Sequence, residues 1–290
     1  MAREQGELLH EAYIARSVTD ACEKLATYGF VLIENGVPHY ALDKLREQIV
    51  VDYPFYQSMR CLDRERFPSK QAPRRFCMNS AANWSKAAWR DFVAEVLYGM
   101  TGDVVMEMLG CREIDAIGGD VVCAHFDQMQ PLHEDWPSCP TRAIPMCLSA
   151  SVAVADVLPE NGAMRIVPDP WRRAGGFYKP PGLGDEPLQW QRNQLSMKKG
   201  SVLLRDVNTW HGGCPNISNS DRVLPAVRFL SWHSLRTVLH RPHRCLPDSC
   251  WQLLDPIVRY STTYLWYDDG CSSGSQMSDF IEFESVGSDD

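Results

Sequence analysis

The stretch "SVLLRDVNTWHGGCPN", residues 201–216, joins an apolar run to a histidine and two glycines. The run "SVLLRDV" is rich in aliphatic residues of the kind that favour strands. Trp210 and His211 follow it, and the glycines after them allow the backbone to turn in a confined space. The stretch therefore predicts a β-strand that delivers His211 at its end.

Similar strand-like runs occur throughout the chain from about residue 119 onward. Short β-rich runs alternate with Pro, Gly and Asn, which is typical of β-sandwiches and barrels. The runs are "DVVCAHF" (120–126), "IPMCLSASVAVADV" (144–157), "GAMRIVP" (162–168), "SVLLRDV" (201–207) and "AVRFLSW" (226–232). No internal repeat is evident, which argues against solenoids and propellers.

Helical spacing precedes these strands. "SVTDACEKLA" at 17–26 opens with a capping-box-like Ser-x-x-Asp, and Gly29 is expected to end that helix. Residues 40–50 and 85–100 also place apolar side chains at helical intervals. We therefore expect one domain over residues 1–267, in which a helical buttress of about residues 1–118 supports a mainly β barrel.

Two segments fit neither the helical nor the strand pattern. Residues 169–200 contain a long connection rich in Gly and Pro, and we expect it to act as a lid, because long loops in compact domains are usually functional. Residues 268–290 carry seven acids and no base. We expect this acidic tail to be flexible, since such a composition cannot bury a core.

The overall composition limits the class of partner. The net charge is −8, whereas nucleic-acid binding needs a concentrated basic surface, so we expect no nucleic-acid partner. The N-terminus mixes acids and bases where an export signal needs an apolar stretch, and no apolar run is long enough to span a bilayer. We therefore expect a cytoplasmic protein with a small-molecule substrate and no membrane association; the oligomeric state stays open.

Two His-x-Asp pairs occur close together. "PLHEDWPSC" at 131–139 contains His133 and Asp135, and "AHFD" just before it contains His125 and Asp127. Residues two apart on a strand lie on the same side, so either pair could offer two ligands to one metal ion. The residues alone do not choose between the pairs.

Combined with the distant His211, such a pair gives two histidines and one carboxylate. This set forms the facial triad of non-heme iron enzymes, which leaves open positions on the metal. Arg222, eleven residues beyond His211, could bind a carboxylate with both ends of its guanidinium group. The combination predicts an iron enzyme whose co-substrate is a dicarboxylate.

These motifs resemble those of the phytanoyl-CoA dioxygenase family of Fe(II)/2-oxoglutarate oxygenases. The resemblance covers roughly residues 17–235 and is carried by "YGFVLIENGV", "PLHED", "NGAMRIVPDPWRR", "KKGSVLLRDVNTWHGG" and "CPNISNSDR". It implies a double-stranded β-helix, a jelly-roll, cupin-like barrel buttressed by N-terminal helices. It also implies an enzyme that uses Fe(II), 2-oxoglutarate and O2.

Residue by residue, the resemblance makes His133, Asp135 and His211 the catalytic iron ligands. Arg222 becomes the anchor for the distal carboxylate of 2-oxoglutarate. "PLHED" matches the family motif and "AHFD" does not, so His125 and Asp127 are expected to be strand residues. The chain departs from the family pattern in "PDPWRR", which lacks a family histidine, and it retains the carboxylate that halogenating members replace.

Further candidate residues lie outside the triad and Arg222. Ser149 and Ser151 alternate with apolar residues and either pack in the barrel or bind 2-oxoglutarate. Arg228 is the alternative to Arg222, unless it forms a structural ion pair. Substrate contacts are expected from four side chains, each of which could instead simply pack: Trp136, Trp171, Trp210 and Arg172.

The resulting prediction is a dioxygenase that oxidises an unactivated C–H bond of a small metabolite, most simply by hydroxylation, while 2-oxoglutarate is decarboxylated to succinate. The alternatives are a zinc-binding barrel with hydrolytic activity and a barrel that has lost catalysis. Zinc accepts the same ligands, but it leaves Arg222 unexplained. The sequence identifies neither the substrate nor the choice between hydroxylation and desaturation.

Overall fold

The computed structural model describes residues 11–58, 74–135, 147–170, 176, 179–182, 185–231, 245–247 and 265–267. Its helices are Val18–Tyr28 (α1), His39–Val51 (α2), Tyr53–Ser58 (α3), Ala87–Tyr98 (α4), Met100–Leu109 (α5) and Leu188–Arg192 (α6), with a 3-10 helix at Ala81–Ser85. None of the helices in the described ranges is both long and apolar enough to cross a membrane.

The strands are Phe30–Ile33 (β1), Arg75–Cys77 (β2), Glu113–Val122 (β3), Cys147–Val152 (β4), Met164–Ile166 (β5), Gln194–Leu195 (β6), Val202–Asp206 (β7), His211–Gly213 (β8), Arg222–Leu230 (β9), Cys245–Pro247 (β10) and Leu265–Tyr267 (β11). A six-stranded antiparallel sheet has the order β1-β7-β4-β9-β3-β2. A three-stranded sheet has the order β6-β5-β8, and β10 pairs with β11.

The outer face of the six-stranded sheet is covered by the helices. Leu148, Ala150 and Val152 of β4 share one apolar cluster with the large buried side chains of α4, such as Trp89 and Phe92. Because strand residues alternate between faces, Ser149 and Ser151 lie on the opposite, inner face. The helices therefore stabilise the sheet from outside and leave its inner face for the site.

The inner face is covered in part by the three-stranded sheet. Phe30 and Leu203 of the large sheet pack in one cluster with Ile166 and Leu195 of the small sheet. Two facing antiparallel sheets with helices on one side confirm the expected jelly-roll fold of the mainly β class. Strands β1 and β2 lie within the first 118 residues, so that segment adds strands to the sheet as well as helices.

Helix α1 shows how local sequence fixes an element near the site. The Ser17 side chain accepts a hydrogen bond from the Asp20 backbone N–H at 3.1 Å, and Gly29 ends the helix with a φ of +83°. A side chain at Gly29 would collide with Thr209, whose hydroxyl donates to the Gly29 carbonyl at 2.9 Å. The end of α1 is thereby joined to the segment that carries His211.

Three expectations on secondary structure differ from the structure. The helical stretch expected at 85–100 ends at Tyr98, because Gly99 has an extended backbone, and α5 follows. His125 lies in a turn beyond the end of β3, with a φ of +58°, so the expectation that "AHFD" is a strand was wrong. The connection at 169–200 contains α6 and β6.

Part of that connection and the whole acidic tail at 268–290 fall outside the described residues, so the expected lid and flexible tail stay predictions.

Candidate metal centre

Three side chains from two distant parts of the chain converge between the sheets. His133, Asp135 and His211 each offer one ligand atom, and these atoms all lie within 4.8 Å of one another. Oδ1 of Asp135 is 3.6 Å from Nε2 of His133 and 3.5 Å from Nε2 of His211. Two imidazole nitrogens and one carboxylate oxygen thus surround a common point.

Backbone pairing brings the two histidines together. The His133 N–H donates to the His211 carbonyl at 2.9 Å, and the His211 N–H donates to the His133 carbonyl at 3.0 Å. The Asp135 N–H donates to the Val207 carbonyl at 3.0 Å, close to the end of β7. The His-x-Asp segment is a single bridge rather than the regular strand that was expected, yet it presents both side chains to the same space.

The hydrogen bonds of both imidazoles leave the correct atoms available for a metal ion. Nδ1 of His133 is 2.9 Å from the Pro131 carbonyl, and Nδ1 of His211 is 2.8 Å from the Thr209 carbonyl. A carbonyl oxygen only accepts hydrogen bonds, so each Nδ1 carries the proton and each Nε2 keeps its lone pair. This arrangement is the usual way in which a protein orients histidine ligands, so the residues fit a divalent metal.

The second oxygen of Asp135 is held by Arg205 of β7. Nη2 of Arg205 donates to Oδ2 at 2.5 Å. Burial alone would raise the pKa of Asp135, but the charge of the Arg205 guanidinium is the largest of the contributions that outweigh it, and the pKa lies well below its usual range. The carboxylate is therefore ionised and ready to act as a ligand.

Arg205 was missed by the analysis of the sequence. A signal was present, since an arginine interrupts the apolar run "SVLLRDV" on the same strand face as the buried Leu203. A buried arginine needs an acidic partner, but spacing along the chain did not reveal that this partner is the candidate ligand Asp135, 70 residues earlier.

Arg222 lies at the start of β9, on the inner face and only 4% exposed. Its Nη1 and Nη2 donate to the two oxygens of Asp120 at 3.1 Å each, and Nη2 of Arg75 donates to the same carboxylate at 2.8 Å. The expected anchor for a carboxylate is therefore already bound to one. The sequence predicted neither Asp120 nor Arg75 as part of this cluster.

The Arg222 cluster, defined as Arg75, Asp120 and Arg222, lies next to the candidate metal centre. A Cβ atom at Gly213 would be 2.1 Å from Nη1 of Arg75, so this guanidinium passes directly against β8. Gly213 is two residues beyond His211, which corresponds to about 7 Å along a strand.

The remaining polar residues of the inner face have separate partners. Arg228 forms an ion pair with the buried Asp115, which is the structural alternative considered for it. Ser149 pairs in register with Arg205 on one side and Arg228 on the other. Ser151 lies two residues further along β4, opposite Leu203.

Trp210 is buried in a small apolar cluster. It is 1% exposed and packs against Trp190 of α6, with ring centroids 5.9 Å apart in an edge-to-face arrangement. Leu132 and Val167 complete this cluster. The described contacts of Trp210 are those of the packing alternative, and a contact with substrate stays a prediction.

Several other sequence candidates can also be placed. His125 and Asp127 are exposed and lie apart from the cluster of ligand atoms. Asn216 is buried and stabilises the turn after His211 by donating to the carbonyls of Val122 and Ser220. The predicted substrate residues Trp136, Trp171 and Arg172 lie outside the described residues.

With this geometry in place, comparison with known families identifies the chain. A model of the family described as phytanoyl-CoA dioxygenase (PhyH) matches residues 25–224. The chain belongs to the phytanoyl-CoA dioxygenase family. PhyH enzymes use Fe(II), 2-oxoglutarate and O2, and this PhyH protein is an Fe(II)/2-oxoglutarate-dependent oxygenase.

Solved structures with the same fold support the architecture of this PhyH protein. SnoN, a non-heme alpha ketoglutarate dependent epimerase from nogalamycin biosynthesis, aligns with a TM-score of 0.55 at 14% identity, over 74% of this chain and 80% of SnoN. AviO1 from Streptomyces viridochromogenes Tue57 has a TM-score of 0.51 at 18% identity, over 75% and 96% of the two chains. ThoJ, a non-heme monooxygenase in complex with nickel, has a TM-score of 0.51 at 14% identity, over 73% and 77%. At these identities the likeness concerns the fold.

Proposed function

We propose that His133, Asp135 and His211 hold Fe(II), and that Arg222 binds the distal carboxylate of 2-oxoglutarate during oxidation of a small metabolite. The observation that carries this proposal is the convergence of two Nε2 atoms and Oδ1 on one point. The other polar atoms of the same side chains are bound elsewhere, to two backbone carbonyls and to Arg205.

Iron held by these residues would supply the activation of O2 that is coupled to decarboxylation of 2-oxoglutarate to succinate and carbon dioxide. The protein supplies orientation and a partly closed site. The Thr209 and Pro131 carbonyls fix the two imidazoles, and Arg205 fixes the carboxylate. His211 is 5% exposed by its side chain, whereas Asp135 is 32% exposed, so we propose that substrate approaches from the side of Asp135.

The distal carboxylate of 2-oxoglutarate is proposed to share the Arg222 guanidinium with Asp120. Asp120 accepts one hydrogen bond from each Nη atom, and within the described residues Nε has no hydrogen-bond partner. An arginine carries five N–H donors, so donors are left for a second carboxylate. We further propose that Ser149 and Ser151 donate hydroxyl hydrogen bonds to 2-oxoglutarate, since both lie on the inner face.

The proposed substrate is a small metabolite, and hydroxylation is the proposed outcome. SnoN, which shares the fold, acts in nogalamycin biosynthesis. Trp136, Trp171 and Arg172 remain proposed substrate contacts on the basis of their positions in the sequence. We also propose a cytoplasmic location, where buried thiols such as Cys147 and Cys214 stay reduced.

The test begins with anaerobic addition of Fe(II) and then 2-oxoglutarate to the metal-free protein. We expect a weak visible charge-transfer absorption that is absent from the His211→Ala variant. In air, a metabolite screen should then find a compound that stimulates succinate formation. A zinc hydrolase or a non-catalytic barrel would give neither the absorption nor succinate. Absence of the absorption, or absence of succinate formation, would therefore contradict the proposal.

A further inference from the structure

The two oxygens of Asp135 face different partners. Oδ1 lies 3.6 and 3.5 Å from the two Nε2 atoms that would share a metal ion with it. Oδ2 accepts the 2.5 Å hydrogen bond from Nη2 of Arg205. The carboxylate thus has one oxygen that faces the two histidine nitrogens and one that faces the arginine.

Arg205 is placed rigidly for this contact. It lies near the end of β7, and its backbone pairs with Phe30 on one side and Ser149 on the other. Its side chain is 6% exposed, so the guanidinium cannot move freely into water. Within the described residues, Nε and Nη1 of Arg205 have no hydrogen-bond partner, and Asp135 is the acid that neutralises it.

A carboxylate can coordinate a metal ion through one oxygen or through both. A facial triad in which Asp135 uses one oxygen leaves three positions of an octahedral ion open. Two of these are needed to chelate 2-oxoglutarate and one for O2. If Asp135 used both oxygens, it would occupy one of these positions and compete with co-substrate.

We propose that Arg205 is a positioning residue that restricts Asp135 to coordination through Oδ1 and so keeps a metal position open for 2-oxoglutarate. The inference rests on the proposed metal centre and adds to it a residue that touches neither metal nor substrate. Its physical basis is that Oδ2 would have to give up a charge-assisted hydrogen bond, which is among the strongest that a protein makes.

A purely structural role for Arg205 predicts a different result. If the Arg205–Asp135 pair only stabilised the fold, its loss would lower thermal stability and leave the coordination of Asp135 unchanged. The two roles therefore predict different coordination of a bound metal by Asp135, and this coordination can be measured without turnover.

The experiment uses the whole chain loaded with Co(II) in place of iron. Three proteins are compared with the wild type: Arg205→Met, Arg205→Lys and the Asp115→Asn/Arg228→Met double variant. The double variant is the matched control, because it removes a guanidinium and its acid from the same inner face without touching Asp135. Thermal unfolding identifies the variants that fold.

In Arg205→Met we expect Oδ2 to enter the metal's coordination, seen as a Co(II) ligand-field spectrum that differs from that of the wild type. In crystals, both Asp135 oxygens should lie at a ligand distance of roughly 2.0–2.2 Å. The Kd of the Co(II)-loaded protein for 2-oxoglutarate should rise at least about tenfold, as is typical when a partner of a metal ligand is lost. Arg205→Lys, which keeps a charged donor, should stay within about threefold of the wild type, as should the double variant.

One-oxygen coordination together with wild-type 2-oxoglutarate affinity in Arg205→Met would overturn the inference, and so would an equal loss in the double variant. If Arg205→Met does not fold, Arg205→Gln takes its place with the same expectation, because a neutral amide holds Oδ2 less strongly. Failure of the proposed metal centre looks different: the wild type would bind no Co(II), or His211→Ala would bind it equally well.

Discussion

The two faces of the six-stranded sheet carry opposite chemistry on the same strands. On the outer face, Phe229 of β9 and Leu148 of β4 are completely buried in the apolar cluster beneath the helices. On the inner face, the next residues along these strands are Arg228 and Ser149, which pair in register. Alternation along a strand thus assigns stability to one face and binding to the other.

This division explains how charged groups are tolerated inside the fold. The inner face holds the acids Asp115 and Asp120, and each is bound by at least one arginine. A buried charge without a partner would cost several kcal/mol. The helices therefore provide the apolar burial that lets the inner face remain polar.

The largest expected effect lies on the outer face. Phe229→Ala should lower the free energy of unfolding by about 3–5 kcal/mol, because it leaves a cavity in the main apolar cluster. Metal affinity of the folded protein should stay within about threefold of the wild type. Chemical denaturation and Co(II) titration measure the two quantities. A comparable loss of metal affinity would mean that the two faces are not independent.

The second largest effect is expected at the candidate metal centre, for the substitution His211→Ala. Removing one of the three proposed ligands should weaken metal binding more than 100-fold, since structural zinc sites gain roughly 3 kcal/mol or more per ligand. The metal-free protein should lose about 1–2 kcal/mol of stability, mainly the hydrogen bond to Thr209. Metal binding that persists in this variant would place the ion elsewhere.

The outer face was largely predictable from the sequence. Apolar spacing located α1, and Ser17 and Gly29 marked its ends; the β-rich runs indicated the strands. These are local signals, because a helix or strand buries a face whose period is fixed by backbone geometry. Local signals failed where Gly99 divides a helix and where His125 adopts a positive φ.

The inner face was predictable only in part. His133, Asp135 and His211 were predicted to converge because motifs carried them, and the structure brings them together, but the charged partners of the inner face were not predicted. Asp120 meets Arg222 through the register of β3 with β9, and Arg205 meets Asp135 across 70 residues. Such contacts depend on how strands align in three dimensions, and spacing along the chain carries no record of this alignment.

The third effect concerns Arg222 on the inner face. Arg222→Met should raise the Kd for 2-oxoglutarate about 10- to 150-fold, the range for losing hydrogen bonds to a charged group. Co(II) affinity should not change, because Arg222 binds Asp120 rather than a metal ligand. Titration of the metal-loaded protein with 2-oxoglutarate measures the effect. Wild-type affinity in this variant would assign the distal carboxylate to another residue.

The smallest effect is a pH dependence set by Asp120. Burial raises the pKa of this carboxyl, but the guanidinium groups of Arg222 and Arg75 outweigh it, so the pKa lies below its usual range. A carboxyl with a lowered pKa in the folded state contributes stability that is complete above its unfolded pKa of about 4. That contribution is lost as the pH falls through the lower folded value.

The comparison of wild type with Asp120→Asn isolates this contribution. The wild type should be the more stable protein at pH 7, and the difference should shrink at pH values below about 4, as measured by denaturant unfolding at each pH. The whole difference should be smaller than that caused by Phe229→Ala. Asp103→Asn, which breaks the exposed pair with Arg112, is the control and should change stability little at any pH. A difference for Asp120→Asn that stays constant down to pH 3 would mean that its carboxylate does not depend on the two arginines, and the inner face would then owe its stability to packing rather than to paired charges.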